Sequence, residues 1–263
     1  MKIVVFSDMH TISPREPLVE VRNSRLFFAD AWPTFVKLSG LIRQEAPDLV
    51  ICLGDMVDWY SDENRDFAIG LLNELPCPWL SVPGNHDYQR FVRTEHAILK
   101  FSAAEGREAA REGWLARGIE LHNRYIEAGD TGLILLDSAL SGVPEGTQKW
   151  LASVTGRHRR QLVFTHVPLD QPQVREQILS VDARRDLAKY VQSRSPWLFP
   201  EALRGHVSDV FTGHLHIPGE LTAEGTRMHM LGTAITTPRK PDLHASALVV
   251  TLGQHVDVRR IYI

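Results

Sequence analysis

Five times along this chain, a short apolar run that reads as a strand ends abruptly in a loop bearing carboxylate, imidazole or carboxamide side chains. The loops are Asp8-Met9-His10, Gly54-Asp55, Gly84-Asn85-His86-Asp87, Thr165-His166 and Gly213-His214-Leu215-His216. An α/β sheet places its binding crevice outside the carboxyl ends of its strands. Five such loops therefore call for a fold that gathers five strand ends in one place. Glycine ahead of a polar residue lets the backbone turn sharply as it leaves a strand. In Asp8-x-His10 and His214-x-His216, alternate side chains of an extended segment can face one side. Two groups from each segment can then converge on a single centre.

The runs between these loops set the architecture. Lys2 to Phe6, Asp48 to Leu53 and Trp79 to Val82 read as strands. Between them, Arg25 to Glu45 has helical spacing through Phe28, Phe35, Leu38, Leu41 and Ile42, and Asp62 to Leu75 reads as a helix with Asp62 as its N-cap. That alternation predicts parallel βαβ units. Glu95 to Arg117, rich in alanine, glutamate and arginine, predicts one or two helices. Ile119 to Ile126 and Gly132 to Leu136 predict strands, Thr147 to Val154 a helix, Leu162 to Thr165 a strand, and 173–179 and 183–193 helical stretches. The last quarter holds short strands over Val207 to Thr212, Gly219 to Thr222, Arg227 to Leu231, Ala245 to Thr251 and His255 to Ile263, and looks antiparallel. With no repeat or Ser/Gly linker, the expectation is an α/β fold in one domain, 1–263, with two packed sheets.

Composition excludes more than it suggests. At 43% hydrophobic, 23% charged and a formal net charge of −3, the chain carries no general attraction for nucleic acid or anionic membrane. The run Arg157-His158-Arg159-Arg160 is short and reads as a solvated helix end. No apolar stretch approaches the roughly 20 residues of a membrane span, and the start MKIVVFSD lacks the features of a secretory signal. A cytoplasmic location is expected. Cys52 and Cys77 sit in apolar surroundings and read as reduced core thiols. Histidine is the departure: several of the 12 gather beside glycine, asparagine and aspartate.

Taken singly, each loop has an ordinary reading as a turn, and His166 alone would read as a hydrogen-bonded core residue. Their joint occurrence in order is what carries weight. Carboxylate oxygens and imidazole nitrogens without cysteine suit manganese, iron or zinc. Two such metals about 3.5–4 Å apart polarise a phosphoryl group and generate a hydroxide nucleophile near neutral pH. Such a site needs a bridging carboxylate, and Asp55, in the middle of the set, is the natural candidate.

The series D-x-H, GD, GNH[DE], H, GHxH, spread over residues 8–216, resembles the calcineurin-like metallophosphoesterase superfamily. The resemblance implies a four-layer α/β/β/α sandwich of two mixed sheets with the metals at one sheet edge. By matching position, it implies one metal on Asp8, His10, Asp55 and His216 and another on Asp55, Asn85, His166 and His214. The pair would be two divalent or trivalent transition metal ions, manganese or iron first, with zinc and nickel also suited. His86 would sit beside the leaving oxygen as general acid or charge stabiliser. Asp58 matches a carboxylate that pairs with that histidine in part of the superfamily, which would favour imidazolium; a loop or helix-cap role fits it equally.

Departures narrow the branch. Trp59 stands where the serine/threonine phosphatases carry a phosphate-clamping arginine. The repair nucleases usually have histidine near Asp58 and an added DNA-capping region, and the lipid A pathway hydrolases have GNRD. What remains looks like the class III cyclic-nucleotide phosphodiesterase branch, to which Leu136-Asp137-Ser138, Gly142 and Trp150-Leu151 are similar. The expected activity is phosphodiester hydrolysis of a small phosphate ester, with a nucleotide among the candidates. The alternatives are a phosphomonoesterase or protein phosphatase, a nuclease, which the acidic balance argues against, and a non-catalytic scaffold on the same fold. Arg15, Arg22 and Arg25 could overhang the site but read more simply as solvated loop and helix start. Trp59, Tyr60 and Tyr88 could stack on a base or aryl group, or pack.

Overall fold

The apolar runs become central strands, buried on both faces. In the computed structural model, residues 1–25, 28, 30–235 and 245–263 are described. The chain starts with β1 (Lys2–Phe6), a short α1 (Val19–Ser24), α2 (Ala31–Glu45), β2 (Leu49–Cys52), α3 (Asp62–Asn73) and β3 (Trp79–Ser81). β1, β2 and β3 pair in parallel, with Val4 opposite Val50 and Ile51 opposite Leu80. Every residue of β2 is buried, as a strand covered on both faces requires.

The next segment holds a hairpin of β4 (Arg90–Arg93) and β5 (Ile98–Phe101), then α4 (Ala103–Leu115), β6 (Arg124–Ala128), β7 (Thr131–Leu136), α5 (Thr147–Val154) and β8 (Arg160–Thr165). After α6 (Pro172–Val181), a single turn α7 (Leu187–Tyr190) and a π-helical turn (Leu198–Leu203), the chain finishes with β9 (Asp209–Thr212), β10 (Gly219–Ala223), β11 (Thr226–Met230), β12 (Ser246–Leu252) and β13 (Val256–Tyr262).

Two sheets result, one ordered β13-β12-β1-β2-β3 and the other β10-β11-β9-β8-β7-β6. Both are mixed: β7, β8, β9 and β11 run parallel, while β6, β10, β12 and β13 join antiparallel. A core between the sheets joins Ile3, Val5 and Ile51 to Leu133, Leu135, Phe164 and Phe211. The other face of the first sheet packs on Phe35, Leu38, Leu72 and Trp114 from α2, α3 and α4. The other face of the second packs on Leu151, Ile178 and Phe199. The order is helix, sheet, sheet, helix, the four-layer α/β/β/α sandwich that the motif series implied.

Several expectations change. Ile98–Phe101 is a strand, so the helix expected from Glu95 begins only at Ala103. The boundary is a capping box: the Ser102 hydroxyl accepts from the Glu105 N–H while the Glu105 carboxylate accepts from the Ser102 N–H. Ser61, not Asp62, caps α3, its hydroxyl accepting from the Asn64 N–H. The helix expected from Arg25 starts at Ala31, and residues 26, 27 and 29 lie outside the described residues. The stretch 183–193 is helical only over Leu187–Tyr190. β9 pairs in parallel with β8 and β11, so the final quarter is antiparallel only in part. Cys52 and Cys77 are free thiols, the first buried.

Phe164 and Phe211 stack at 5.0 Å between centroids in the inter-sheet core. Phe211→Ala is expected to destabilise the fold by roughly 3–5 kcal/mol, the range for a buried phenylalanine, measured by urea unfolding. A loss below about 1 kcal/mol would mean that the two sheets are not held together there.

Candidate metal centre

All five loops leave the carboxyl ends of parallel strands, three from the first sheet and two from the second. Ladder-like bonds continue past the strands: the Asp8 N–H donates to the Gly54 carbonyl at 3.0 Å and the His10 N–H to the Asp55 carbonyl at 2.9 Å. The Gly213 N–H likewise donates to the His166 carbonyl at 2.9 Å. Two bonds cross between the sheets at the site itself. His166 Nδ1 lies 2.7 Å from the Leu53 carbonyl, and the His214 N–H donates to Asp8 Oδ2 at 3.0 Å.

The backbone at these ends is unusual. Asp8, His10, Asp55, His214 and His216 all have left-handed φ values, from 44° to 69°. Non-glycine residues rarely adopt that region, although aspartate and histidine tolerate it better than most, and each costs of order 1 kcal/mol. Gly54, at φ 91°, serves the sharp turn expected of it. Gly84 and Gly213 do not; their role is close approach. A Cβ on Gly84 would lie 2.1 Å from Asp55 Oδ1, and one on Gly213 would lie 1.9 Å from Ser7 Oγ and 2.8 Å from Asp8 Oδ2. Asp87, to which the motif gave no role, binds two loops together: it accepts from the N–H groups of Gly84 (2.8 Å), Asp55 (2.9 Å) and Met56 (2.9 Å).

The donors converge in two groups. In one, His216 Nε2 lies 3.2 Å from Asp8 Oδ1 and 3.1 Å from His10 Nε2, which in turn is 3.7 Å from Asp55 Oδ2. In the other, His166 Nε2 lies 3.4 Å from Asp55 Oδ2, 3.3 Å from Asn85 Oδ1 and 3.2 Å from His214 Nδ1. Tautomers sharpen the second group. A carbonyl can only accept, so His166 Nδ1–H donates to Leu53, and His214 Nε2–H donates to the Lys189 carbonyl at 2.9 Å. The remaining nitrogens of two neutral rings would then point lone pairs at each other and at a carboxylate. Only a positive charge between them, a proton or a metal ion, makes that stable. His10 follows the same rule, directing Nδ1 to Asp58 at 3.2 Å and Nε2 into the first group. Histidines that ligate metals almost always donate their other N–H this way.

Electrostatics agree. Burial raises the Asp8 carboxyl, but His216 and His166 outweigh it and bring it down to about 2. Burial opposes charge on His166, yet Asp55 and Asp8 lift it to about 9. His214, buried beside cationic His166, falls to about 4. The same ionised carboxylates that would draw a metal hold a proton on His166.

His86 and Asp58 stand beside the first group. His86 donates its N–H to Asp55 Oδ1 at 2.8 Å, and its Nδ1 faces the Asp58 carbonyl at 2.7 Å and the Asp58 carboxylate at 3.3 Å. Burial opposes its charge, but Asp55 and Asp58 carry it to about 9. His10, Asp55 and His86 also form a third cluster of possible metal donors. Asp58 is fully buried and caps none of the described helices. It accepts from Arg25 Nε at 2.5 Å and Nη2 at 2.6 Å, and these bonds with those from His10 and His86 hold its carboxyl well below the usual range despite burial. Arg25 is thereby a buttress of the site rather than a solvated arginine, whereas Arg15 is exposed and Arg22 reaches the Pro14 carbonyl. Trp59, Tyr60 and Tyr88 are packing residues, at 0%, 6% and 0% exposure.

The two groups open into one cavity of about 640 Å³. Its lining includes His10, Phe28, Asp55, Asn85, His86, His214 and His216 and, beyond these, Ser141, Arg185, Lys189, Tyr190 and Arg194. Sequence reasoning passed over those last residues because they belong to no motif.

The family model for calcineurin-like phosphoesterases matches residues 1–218. The chain belongs to that family. Among its relatives, this phosphoesterase is 26% identical over 247 residues to the 3′,5′-cyclic adenosine monophosphate phosphodiesterase CpdA of Escherichia coli K12, covering 87% of the chain and 74% of CpdA. Its fold matches that of a dimetal phosphatase from Danio rerio with a TM-score of 0.67 at 16% identity, over 99% of this chain and 95% of that one. It also matches the phosphopantetheinyl hydrolase PptH of Mycobacterium tuberculosis, with a TM-score of 0.55 at 14% identity over 89% and 90% of the two chains. No described helix of the phosphoesterase is long and apolar enough to cross a membrane.

Two outcomes are expected of the centre. Because His166 is protonated below about 9 and only a neutral ring ligates, metal affinity should rise from pH 6.5 towards 9. Loading near pH 7.5 should release about one proton, read by calorimetry in buffers of different ionisation enthalpy; loading without proton release would refute the assignment. Gly213→Ala should weaken metal binding by roughly 10–100-fold, whereas wild-type affinity would show that Ser7 and Asp8 can yield.

Proposed function

We propose that the phosphoesterase is a dinuclear metal-dependent hydrolase whose preferred substrates are phosphodiesters. The observation that carries this reading is the pair of facing nitrogens on His166 and His214, each fixed by a carbonyl behind it, beside the shared carboxylate of Asp55. On this reading Asp8, His10, Asp55 and His216 hold one ion, and Asp55, Asn85, His166 and His214 the other. The donor set of imidazole, carboxylate and carboxamide fits manganese or iron first, then zinc or nickel. Two ions so held would supply Lewis-acid charge to the phosphoryl oxygens and acidify water.

The chain's own groups do the rest. His86, cationic at neutral pH and lining the cavity, donates a proton or hydrogen bond to the leaving oxygen. Asp58 keeps that imidazole charged and orients His10 at the same time. Arg25 pairs with Asp58, which is why burying the carboxylate is tolerated.

Diester preference is supported from two sides. Position 59, where a phosphate-clamping arginine would stand in the protein phosphatases, holds a tryptophan with no exposure. The Escherichia coli relative is named a cyclic-nucleotide phosphodiesterase. The reading is of one domain over 1–263, acting in the cytoplasm on a small phosphate ester rather than on nucleic acid. The intact donor set and His86 favour it over a non-catalytic scaffold.

Manganese-loaded protein should hydrolyse bis(p-nitrophenyl) phosphate. Asp55→Ala should abolish turnover and metal binding together, while His86→Ala should lower kcat by about 10²–10⁴-fold and still bind metal. Pure metal-loaded protein that cleaves neither diesters nor monoesters would overturn the assignment. A panel of cyclic nucleotides, aryl diesters, nucleotide monoesters, phosphopeptides and single-stranded nucleic acid ranks the substrate classes, and faster cleavage of monoesters or nucleic acid would refute the diester preference.

A further inference from the structure

Beside His214, the cavity has a cationic wall that hydrolysis of a simple ester does not require. It is formed by Arg185, Lys189, Tyr190 and Arg194. The Arg185 guanidinium lies over the Tyr190 ring at 4.3 Å, and that ring lies 5.2 Å from His214. Asp182 and Asp186 balance part of the charge, at 3.5 Å from Arg185 and 3.1 Å from Lys189. Among the described residues no acidic group pairs with Arg194, and its side chain is exposed at the cavity.

The wall is built into the fold. The Arg194 N–H donates to the Ser141 carbonyl at 3.0 Å, the Val143 N–H to Ser195 Oγ at 3.0 Å, and the Gln192 N–H to the Pro168 carbonyl at 2.8 Å. Buried Gln192 also donates to the Val167 carbonyl at 2.7 Å. A Cβ on Gly142 would lie 2.7 Å from that of Arg194, so glycine there is what lets the two segments close. The backbone carrying Arg194 is thus fastened to the loops that follow β7 and β8, the second of which bears His166.

A plain diester carries one negative charge, and the two ions with His86 already answer it. A further arginine on the same cavity, without an acidic partner among the described residues, leaves positive charge there that a second anionic group would meet. We propose that this wall is a subsite for a second anionic group, so that the preferred substrates are phosphate esters bearing an additional phosphate elsewhere in the molecule. The proposal rests on the phosphoesterase reading above. It assigns Arg194 as the residue that meets the second phosphate and Arg185 as its partner, held in place by Tyr190.

Calorimetry on manganese-loaded protein tests it with two probes, adenosine 3′,5′-bisphosphate and adenosine 5′-monophosphate. The bisphosphate should bind at least about tenfold more tightly, the scale of one charge-assisted contact. Arg194→Glu should reduce that preference to about threefold or less, and Arg194→Lys should keep most of it. Arg157→Glu, an equal change of charge outside the cavity, should leave the preference as it was. Equal binding of the two nucleotides to wild type, or a preference that survives Arg194→Glu, would overturn the subsite. Bis(p-nitrophenyl) phosphate turnover is measured on the same preparations. Turnover without a nucleotide preference rejects the subsite alone, whereas a preference without turnover on any ester upholds the subsite and rejects the phosphoesterase reading.

Discussion

The carboxylate of Asp55 ties the two sheets together where their strands end. Oδ2 faces His10 from the first sheet and His166 from the second, at 3.7 and 3.4 Å, and Oδ1 accepts the His86 N–H. Its own backbone is held by Asp87. A buried carboxylate in this position must be met by positive charge, and every nearby imidazole is oriented to meet it or to leave room for something that will. The loops, the histidine tautomers and the inter-sheet contacts at this end all follow from that single requirement.

Behind these candidate donors, groups outside the cluster do much of the positioning. Ser138 accepts from Thr165 and from the Val167 N–H, at 2.7 and 2.8 Å, bracing the loop that carries His166. Thr233 donates to the Asp8 carbonyl at 2.9 Å from a strand end distant in sequence. The cavity is also asymmetric. Phe28 stacks on His10 at 4.4 Å on one side, while tyrosine and arginine stand beside His214 on the other. One end offers an apolar surface and the other a charged one, which gives a bound ester a direction.

The donor set was legible in the sequence because its chemistry leaves little choice: hard donors gather at strand ends, and in three of the five loops a glycine precedes them. The central strands were legible because burial on both faces demands unbroken apolar runs. Ser102 and Glu105 show a cue that was present in the letters but outweighed by the alanine-rich stretch around it. The partnership of Arg25 with Asp58 could not be read, since the two residues are 33 positions apart and an arginine in a loop looks the same whether solvated or paired. The cationic wall was hidden for a related reason. Its residues answer to a shape, the cavity, which exists only after the two sheets have met.

The left-handed backbone at Asp8, His10, Asp55, His214 and His216 limits how this centre can change over evolutionary time. A β-branched residue cannot enter those positions without a steric penalty beyond the loss of a donor side chain, whereas asparagine and glycine accept that geometry readily. A lineage that abandons hydrolysis but keeps the fold would therefore drift towards asparagine or glycine at these five places, leaving the outline of a vanished metal site in its backbone.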